Sequence, residues 1–169
     1  MKNAWFCSDF HLGHDSILQY TRRGELFASI EEHDAVLTDL FNQSVGPTDD
    51  VFFIGDLALH HSKWDRAKAI EKLNGRKHLV IGNHDKEFAS FYRQSALFEE
   101  VDSCLDLKFN KRYIVMSHFP MIHWHMAERG AWMLHGHLHG DMNYAEHRLE
   151  KYRIMDMGYD ALAALRMTD

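Results

Sequence analysis

The sequence predicts a layered α/β fold with parallel strands. Short apolar runs alternate with segments of helical periodicity through the first half of the chain. Each run stops at a Gly or at a cluster of polar residues. The second half is strand-rich, with fewer helical segments between its runs.

Residues 4–8 form a short buried strand that opens into a loop at Asp9. In residues 29–41, Ile30, Val36, Leu37, Leu40 and Phe41 recur at helical spacing, and acidic residues near the start suit the helix dipole. Gly46-Pro47 ends that helix. After Asp50, Val51-Phe52-Phe53-Ile54 is an apolar strand bounded by Gly55. Residues 62–73 form a second helix, with Ser62 as its N-cap and Asn74-Gly75 closing it. Residues 78–81 make a third strand, stopped by Gly82, and residues 87–94 return to helix. Residues 101–109, 113–117 and 132–135 are strand-like, and residues 148–157 add one or two more strands. Neither a repeat nor a linker divides the chain, so residues 1–169 are expected to form a single domain.

At 169 residues the chain can bury one core without disulfides or a structural metal. The formal net charge of -6 opposes a nucleic-acid backbone, so no stable nucleic-acid complex is expected. A metal site would still attract a small phosphate locally, whatever the global sum. Two isolated cysteines, Cys7 and Cys104, make no disulfide framework and suit a reducing compartment, with Cys7 packing in its apolar run. The apolar stretch at the N-terminus is too short for a signal peptide, and no segment has the roughly 18 apolar residues of a membrane helix. These features lead to the expectation of a cytoplasmic protein with no membrane contact. The unusual number is the 14 histidines, and their placement carries the functional argument.

Polar residues begin where each strand ends. Asp9 and His11 follow the first run, Gly55-Asp56 the second and Gly82-Asn83-His84-Asp85 the third. Ser117-His118 and His135-Gly136-His137-Leu138-His139 follow two later runs. In open α/β sheets ligands bind beyond the carboxyl ends of strands, so these five ends predict one convergent site. Asp9 and His11, two residues apart at a strand end, point to the same side, and His137 and His139 repeat that spacing with two imidazoles. Mixed carboxylate and imidazole ligands suit Mn, Fe, Ni or Zn better than Ca or Mg. Asp56 can bridge two cations through its two oxygens, or make an Asx turn. Asn83 offers a neutral carbonyl ligand, His84 an imidazole, and Asp85 a carboxylate to orient that ring. Singly, each of these pieces is more often polar surface or turn.

Together, and in this order, the blocks Asp9-x-His11, Gly55-Asp56, Gly82-Asn83-His84-Asp85, Ser117-His118 and Gly136-His137-x-His139 resemble the calcineurin-like metallophosphoesterase superfamily. Asp9-Phe10-His11-Leu12-Gly13-His14 and Ser117-His118-Phe119-Pro120 are similar to its small bacterial and phage phosphohydrolases. The resemblance implies a four-layer α/β/β/α sandwich with two mixed β-sheets and two divalent transition-metal ions, manganese among the candidates. It implies that one ion takes Asp9, His11, Asp56 and His139, the other Asp56, Asn83, His118 and His137, with Asp56 shared. Two such ions about 3.5–4 Å apart clamp a phosphate and lower the pKa of bound water to roughly 7, so a bridging hydroxide can attack phosphorus. His84, not a ligand in the family, would hydrogen-bond the phosphoryl group and protonate the leaving group, with Asp85 orienting it. The function expected is hydrolysis of small phosphoesters or nucleotides, phosphodiesters ahead of monoesters.

His14, Arg22, Arg23 and Asn83 are the candidate substrate contacts, the arginines as bidentate phosphate receivers or as ordinary solvated residues. Ser117 and His135 are expected to support the site by hydrogen bonds, and His60, His61, His123 and His125 to flank it. Trp124 is the candidate stacking platform, whereas Trp64 and Trp132 are expected in the core. The Gly-Asp block continues Leu57-Ala58-Leu59-His60 rather than the Asp-Arg-Gly of the phosphoprotein phosphatases, which argues against a protein phosphatase. Two other classes compete. One is a catalytically silent metal-binding scaffold of the same fold, whose signature would be loss of His84 or of a ligand. The other is a redox or storage protein, opposed by Asn83 and by the lack of a carboxylate-rich cage.

Overall fold

A computed structural model describes residues 4–141 and 152–161. The first sheet contains β1 (Ala4–Cys7), β2 (Asp50–Ile54), β3 (Arg76–Val80) and β4 (Glu100–Asp102), in that order. All of its pairings are parallel, with Phe6 opposite Phe52 and Leu79 opposite Val101. Helices α1 (Ile17–Tyr20) and α2 (Ile30–Ser44) connect β1 to β2, and α3 (Lys63–Glu71) connects β2 to β3. A short 3-10 turn and α4 (Ala89–Gln94) lead to β4. The second sheet has the order β5 (Cys104–Phe109), β6 (Arg112–Ser117), β7 (Trp132–His135), β8 (Arg153–Asp156). Its first pair is an antiparallel hairpin, and β6, β7 and β8 run parallel. Asn110 and Lys111 close that hairpin with positive φ at both positions, the backbone of a type I′ turn.

Strand alternation distributes the apolar residues among the layers. In β2, Val51 and Phe53 pack with Leu37 of α2, Ile70 of α3 and Tyr92 of α4. Its alternate residues, Phe52 and Ile54, face the other way and meet Ile114, Met116 and Leu134 between the sheets. The outer face of the second sheet presents Val115, Met133 and Ile154 to Trp124, Ala127 and Ala131. Local signals fix the helix starts: the Ser29 side chain accepts from Glu32 N, and Ser62 accepts from Asp65 N.

Several expectations change. Residues 101–109 are two strands in different sheets, because the chain crosses between sheets at Ser103. Both strands are half-exposed, so the sequence carries no mark of the change of sheet. The first sheet is parallel throughout rather than mixed; only the second is mixed. Among the described residues, a 3-10 turn at Ala127–Arg129 and the Trp124 ring pack on the outer face of the second sheet. Trp124 is 3% exposed and donates to the Ala131 carbonyl at 3.1 Å, so it is a core residue and no stacking platform. Trp64 is 64% exposed, against its expected burial. The expected strand over 148–157 appears as β8, and its first residues lie outside the described ones. No described helix is long and apolar enough to cross a membrane.

Leu79 has no exposure and anchors the helix-facing core, so Leu79→Ala should lower the unfolding free energy by about 2–5 kcal/mol. Ser62→Ala should cost about 1 kcal/mol through its lost cap. Urea denaturation of both variants measures the difference.

Candidate metal centre

All five polar blocks follow the carboxyl ends of parallel strands, β1, β2 and β3 in one sheet and β6 and β7 in the other. Backbone hydrogen bonds join their loops: Asp9 N donates to Gly55 O at 3.1 Å, and Gly136 N to His118 O at 3.1 Å. Asp9, His11, Asp56, His137 and His139 all have positive φ, between 50° and 74°. Non-glycine residues hold that conformation at a cost of roughly 1–3 kcal/mol each, when the surroundings over-determine it. Here the side chain is the reason glycine cannot serve. Glycine is required beside them instead: a Cβ on Gly82 would overlap the Asp56 carboxylate, and one on Gly136 would overlap Ser8 and Asp9.

Two groups of donors to a cation result, all buried except the half-buried His139. One ligand atom from each of Asp9, His11 and His139 lies within 4.8 Å of the others, and the same holds for Asp9, Asp56 and His118. His118 Nδ1 donates to the Ile54 carbonyl at 2.9 Å, which leaves Nε2 as the acceptor of the neutral ring. That Nε2 faces Asp56 Oδ2 at 3.3 Å and Asn83 Oδ1 at 3.0 Å. Three acceptors facing one another need a cation or a protonated ring between them. His11 Nε2 is buried without a hydrogen-bond partner, 3.8 Å from both Asp9 Oδ1 and Asp56 Oδ2. His139 Nδ1 donates to Asp160 Oδ2 at 2.7 Å, again presenting Nε2 as a free lone pair. An orphaned imidazole nitrogen between two carboxylates fits a divalent transition-metal ion.

The electrostatics follow from this crowding. Burial opposes charge on His118, but the Asp56 hydrogen bond and charge overcome it and lift the imidazole to about 9. Burial likewise opposes the Asp56 anion, and the His118 hydrogen bond and charge hold its carboxyl down at about 2. Asp85 moves the other way, up to about 6, because it is buried and faces the Asp56 charge. Burial and the neighbouring His11 and His84 rings hold His14 down at about 4.

The structure brings most of the expected site together. Asn83 and His118 meet as described, while the His137 ring lies 5.2 Å from His118 and 4.4 Å from Phe119, and the His137 backbone N–H donates to the Asp9 carboxylate. Asp9 is the carboxylate common to both groups, the place the resemblance gave to Asp56, which belongs to the second group. His84 is exposed at the mouth, its ring 5.6 Å from His11 and 5.5 Å from His14. His14 Nδ1 sits 3.0 Å from His11 Nδ1. Ser117 is buried beside His118, and buried His135 bonds through Nδ1 to the Gly136 carbonyl.

Two assignments are corrected. Asp85 does not bond the His84 ring; its Oδ1 has no hydrogen-bond partner and its Oδ2 accepts from Asp56 N at 2.7 Å and Gly82 N at 2.9 Å, so it shapes the loops of Asp56 and Asn83. Arg23 is fully buried and bonded to Asp160, Phe10, His33 and Asp9, which leaves it no face for a substrate. Arg22 is exposed and pairs with Glu25 at 3.3 Å, in the wall of a cleft of about 430 Å³ that His139 also borders. Sequence reasoning missed Asp160, His33 and Asp34. None sits in a strand-end block, and His33 and Asp34 lie inside α2, where only their burial would single them out.

Comparison with known proteins agrees with the geometry. The family model for calcineurin-like phosphoesterases matches residues 2–161, and the chain belongs to that family. It is 27% identical to the gene 66 protein of Mycobacterium phage L5, over 100% of this chain and 92% of the phage protein. It is 30% identical to an uncharacterized protein of Methanocaldococcus jannaschii, over 83% of this chain and 72% of the other. The crystal structure of a protein of unknown function from Aquifex aeolicus shares the fold, with a TM-score of 0.70 at 22% identity, covering 95% of this chain and 93% of that one.

The raised His118 pKa gives a pH dependence. Relative to its ordinary value of 6.5, the stabilisation from protonated His118 is fully present below pH 6.5 and is lost as pH rises through about 9. A cation replaces that proton, so metal affinity should rise about tenfold per pH unit up to about 9. Isothermal titration at pH 7 in buffers of different ionisation enthalpy should show proton release. Heats that do not vary with the buffer would rule out His118 as a protonated resting ligand.

Proposed function

We propose that this chain is a dinuclear-metal phosphoester hydrolase acting on small phosphoesters or nucleotides, phosphodiesters ahead of monoesters. The observation that carries the reading is the orphaned, buried His11 Nε2 between the Asp9 and Asp56 carboxylates, beside the converging acceptors of Asp56, Asn83 and His118. Mn, Fe, Ni or Zn ions would be held by Asp9, His11, Asp56 and His139, and by Asp56, Asn83, His118 and His137, with the extra proximity of Asp9 serving either. When bound, such ions supply Lewis acidity and a water acidic enough to react at neutral pH.

The chain's own residues do the rest. Asp9 and Asp56 are buried with their carboxyls held below the usual range, so two anionic groups are in place to receive cations as His118 gives up its proton. His84 N donates to Asp56 Oδ1 at 3.0 Å, which fixes the backbone from which the His84 ring reaches the mouth. An exposed imidazole there can hydrogen-bond a phosphoryl oxygen and hand a proton to the departing oxygen. His14 has Nδ1 committed to His11, which leaves Nε2 for a second phosphoryl contact. Asp85 holds the Asp56 and Gly82 amides, so the bridging carboxylate and the Asn83–His84 loop keep one spacing.

His84→Ala should lower turnover of a bis-aryl phosphate about 10²- to 10⁴-fold while bound metal, counted by elemental analysis, stays the same. Loss of both metals from a folded His84→Ala protein would overturn the role given to His84. Inactivity of the parent protein with Mn, Fe, Co, Ni and Zn each supplied would favour the silent scaffold.

A further inference from the structure

Behind the metal centre lies a second network that the proposed chemistry does not use. Arg23 has no solvent exposure, and all five of its N–H donors are engaged. Nε and Nη2 fork onto Asp160 Oδ1 and Oδ2 at 3.0 and 2.7 Å. Nη2 also donates to the Asp9 carbonyl at 2.6 Å, and Nη1 donates to the Phe10 carbonyl at 2.9 Å and to His33 Nε2 at 3.1 Å. His33 continues through Nδ1 to Asp34 Oδ1 at 2.9 Å, and Asp34 Oδ2 accepts the Gly13 N–H at 2.8 Å. At the other end, the Asp160 Oδ2 that receives Arg23 also accepts from His139 Nδ1 at 2.7 Å.

We infer that Arg23 and Asp160 are positioning residues for one half of the metal centre: they register His139 against Asp9 and His11, and so set the affinity of that half for its ion. The inference rests on the proposed function only in requiring that the site bind metal. Asp160 fixes the His139 tautomer and ring direction, as a carboxylate does for a ligating imidazole. Arg23 holds Asp160 in a planar bidentate fork, so the carboxylate cannot rotate away from the ring. The same guanidinium grips the backbone of Asp9 and Phe10, on the loop between β1 and α1 that carries His11. Ligands from the two ends of the described chain are thereby registered by one buried cation. The other half is anchored elsewhere, His118 by the Ile54 carbonyl and Asp56 by the Asp85 carboxylate. The Asp9 carboxylate, common to both groups, has its own support from His137 N–H at 3.0 and 3.2 Å. Loss of the Asp160 contact therefore falls first on His139.

The test is a cycle on the full chain: the parent protein, Asp160→Asn, His139→Ala and the double variant, each titrated calorimetrically with Mn(II) and with Co(II). Asp160→Asn should weaken one of two sites about 10- to 100-fold and leave the other unchanged. In the His139→Ala background, Asp160→Asn should add nothing to the affinity loss. The visible absorption of the Co(II) form should change for the weakened site alone. Equal weakening of both sites, no weakening, or a full additional loss on top of His139→Ala would each overturn the inference. If Asp160→Asn unfolds because Arg23 is left buried and unpaired, Asp160→Glu keeps the charge for Arg23 while displacing the oxygen from His139, and the same single-site loss is expected. A parent protein that binds two ions without hydrolysing phosphoesters would count against the proposed function and leave this inference standing; a parent protein that binds none would overturn both.

Discussion

The central constraint on this molecule is a buried crowd of electron pairs. Asp9, His11, Asp56 and His118 are each no more than 2% exposed, and their carboxylate oxygens and ring nitrogens converge with too few protons to pair them all. Buried acceptors without donors are costly, so the arrangement persists only because the surrounding fold leaves it no alternative. The His118–Asp56 pair shows the stress: the ring is held to its proton up to about 9, and the carboxyl is held open down to about 2. A divalent cation relieves the whole set at once, and no single proton can. Stability and function therefore draw on the same residues, and binding of an ion should stabilise the folded chain by linkage.

Everything nearby serves to keep those electron pairs converged. Parallel strands deliver the ligand loops to a common edge, and three of the backbone turns they make use glycines with neighbouring side chains against the missing Cβ. Left-handed backbone at five candidate ligand residues turns each side chain inward, where an extended loop would carry it past the site. Asp85 is the clearest case of a polar residue acting through backbone. It has no exposure, it accepts two amide hydrogen bonds from the Asp56 and Gly82 loops, and its proton affinity rises because it is buried and, secondly, because the Asp56 charge is near. The identity of this residue as an acid is thus explained by two N–H groups that would otherwise be buried without acceptors.

Much of this was legible in the sequence. Apolar runs ending at Asp9, Asp56, Asn83, His118 and His137 state both the strands and their polar edge, because a parallel strand buried on both faces has few ways to be written. Helix starts at Ser29 and Ser62 were equally plain, since capping is local. What escaped was non-local. The break at Ser103 looks like continued alternation, because a strand that changes sheets keeps its period of two. Trp124 between two histidines gives no sign that its ring closes the second sheet. Arg23 sits in a run of polar residues indistinguishable from a solvated surface, and its burial depends on Asp160, which no local pattern links to it.

Arg23 also shows why a basic residue near a phosphate site is weak evidence for phosphate binding. A guanidinium with five satisfied donors has no capacity left for a substrate oxygen, whatever its distance from the centre. Its neighbour Arg22, exposed and paired with the exposed Glu25, can exchange that partner for an anion at little cost. Two adjacent arginines thus divide between architecture and surface, and the division is made by the 3-10 turn at Arg22–Glu25, which points one side chain in and the other out. The exposed Arg22 and Tyr20 line the cleft beside His139 together with the Tyr159 ring, and the Arg23 guanidinium lies 4.8 Å from the centre of that ring, so the buried arginine supports the wall that the exposed one decorates.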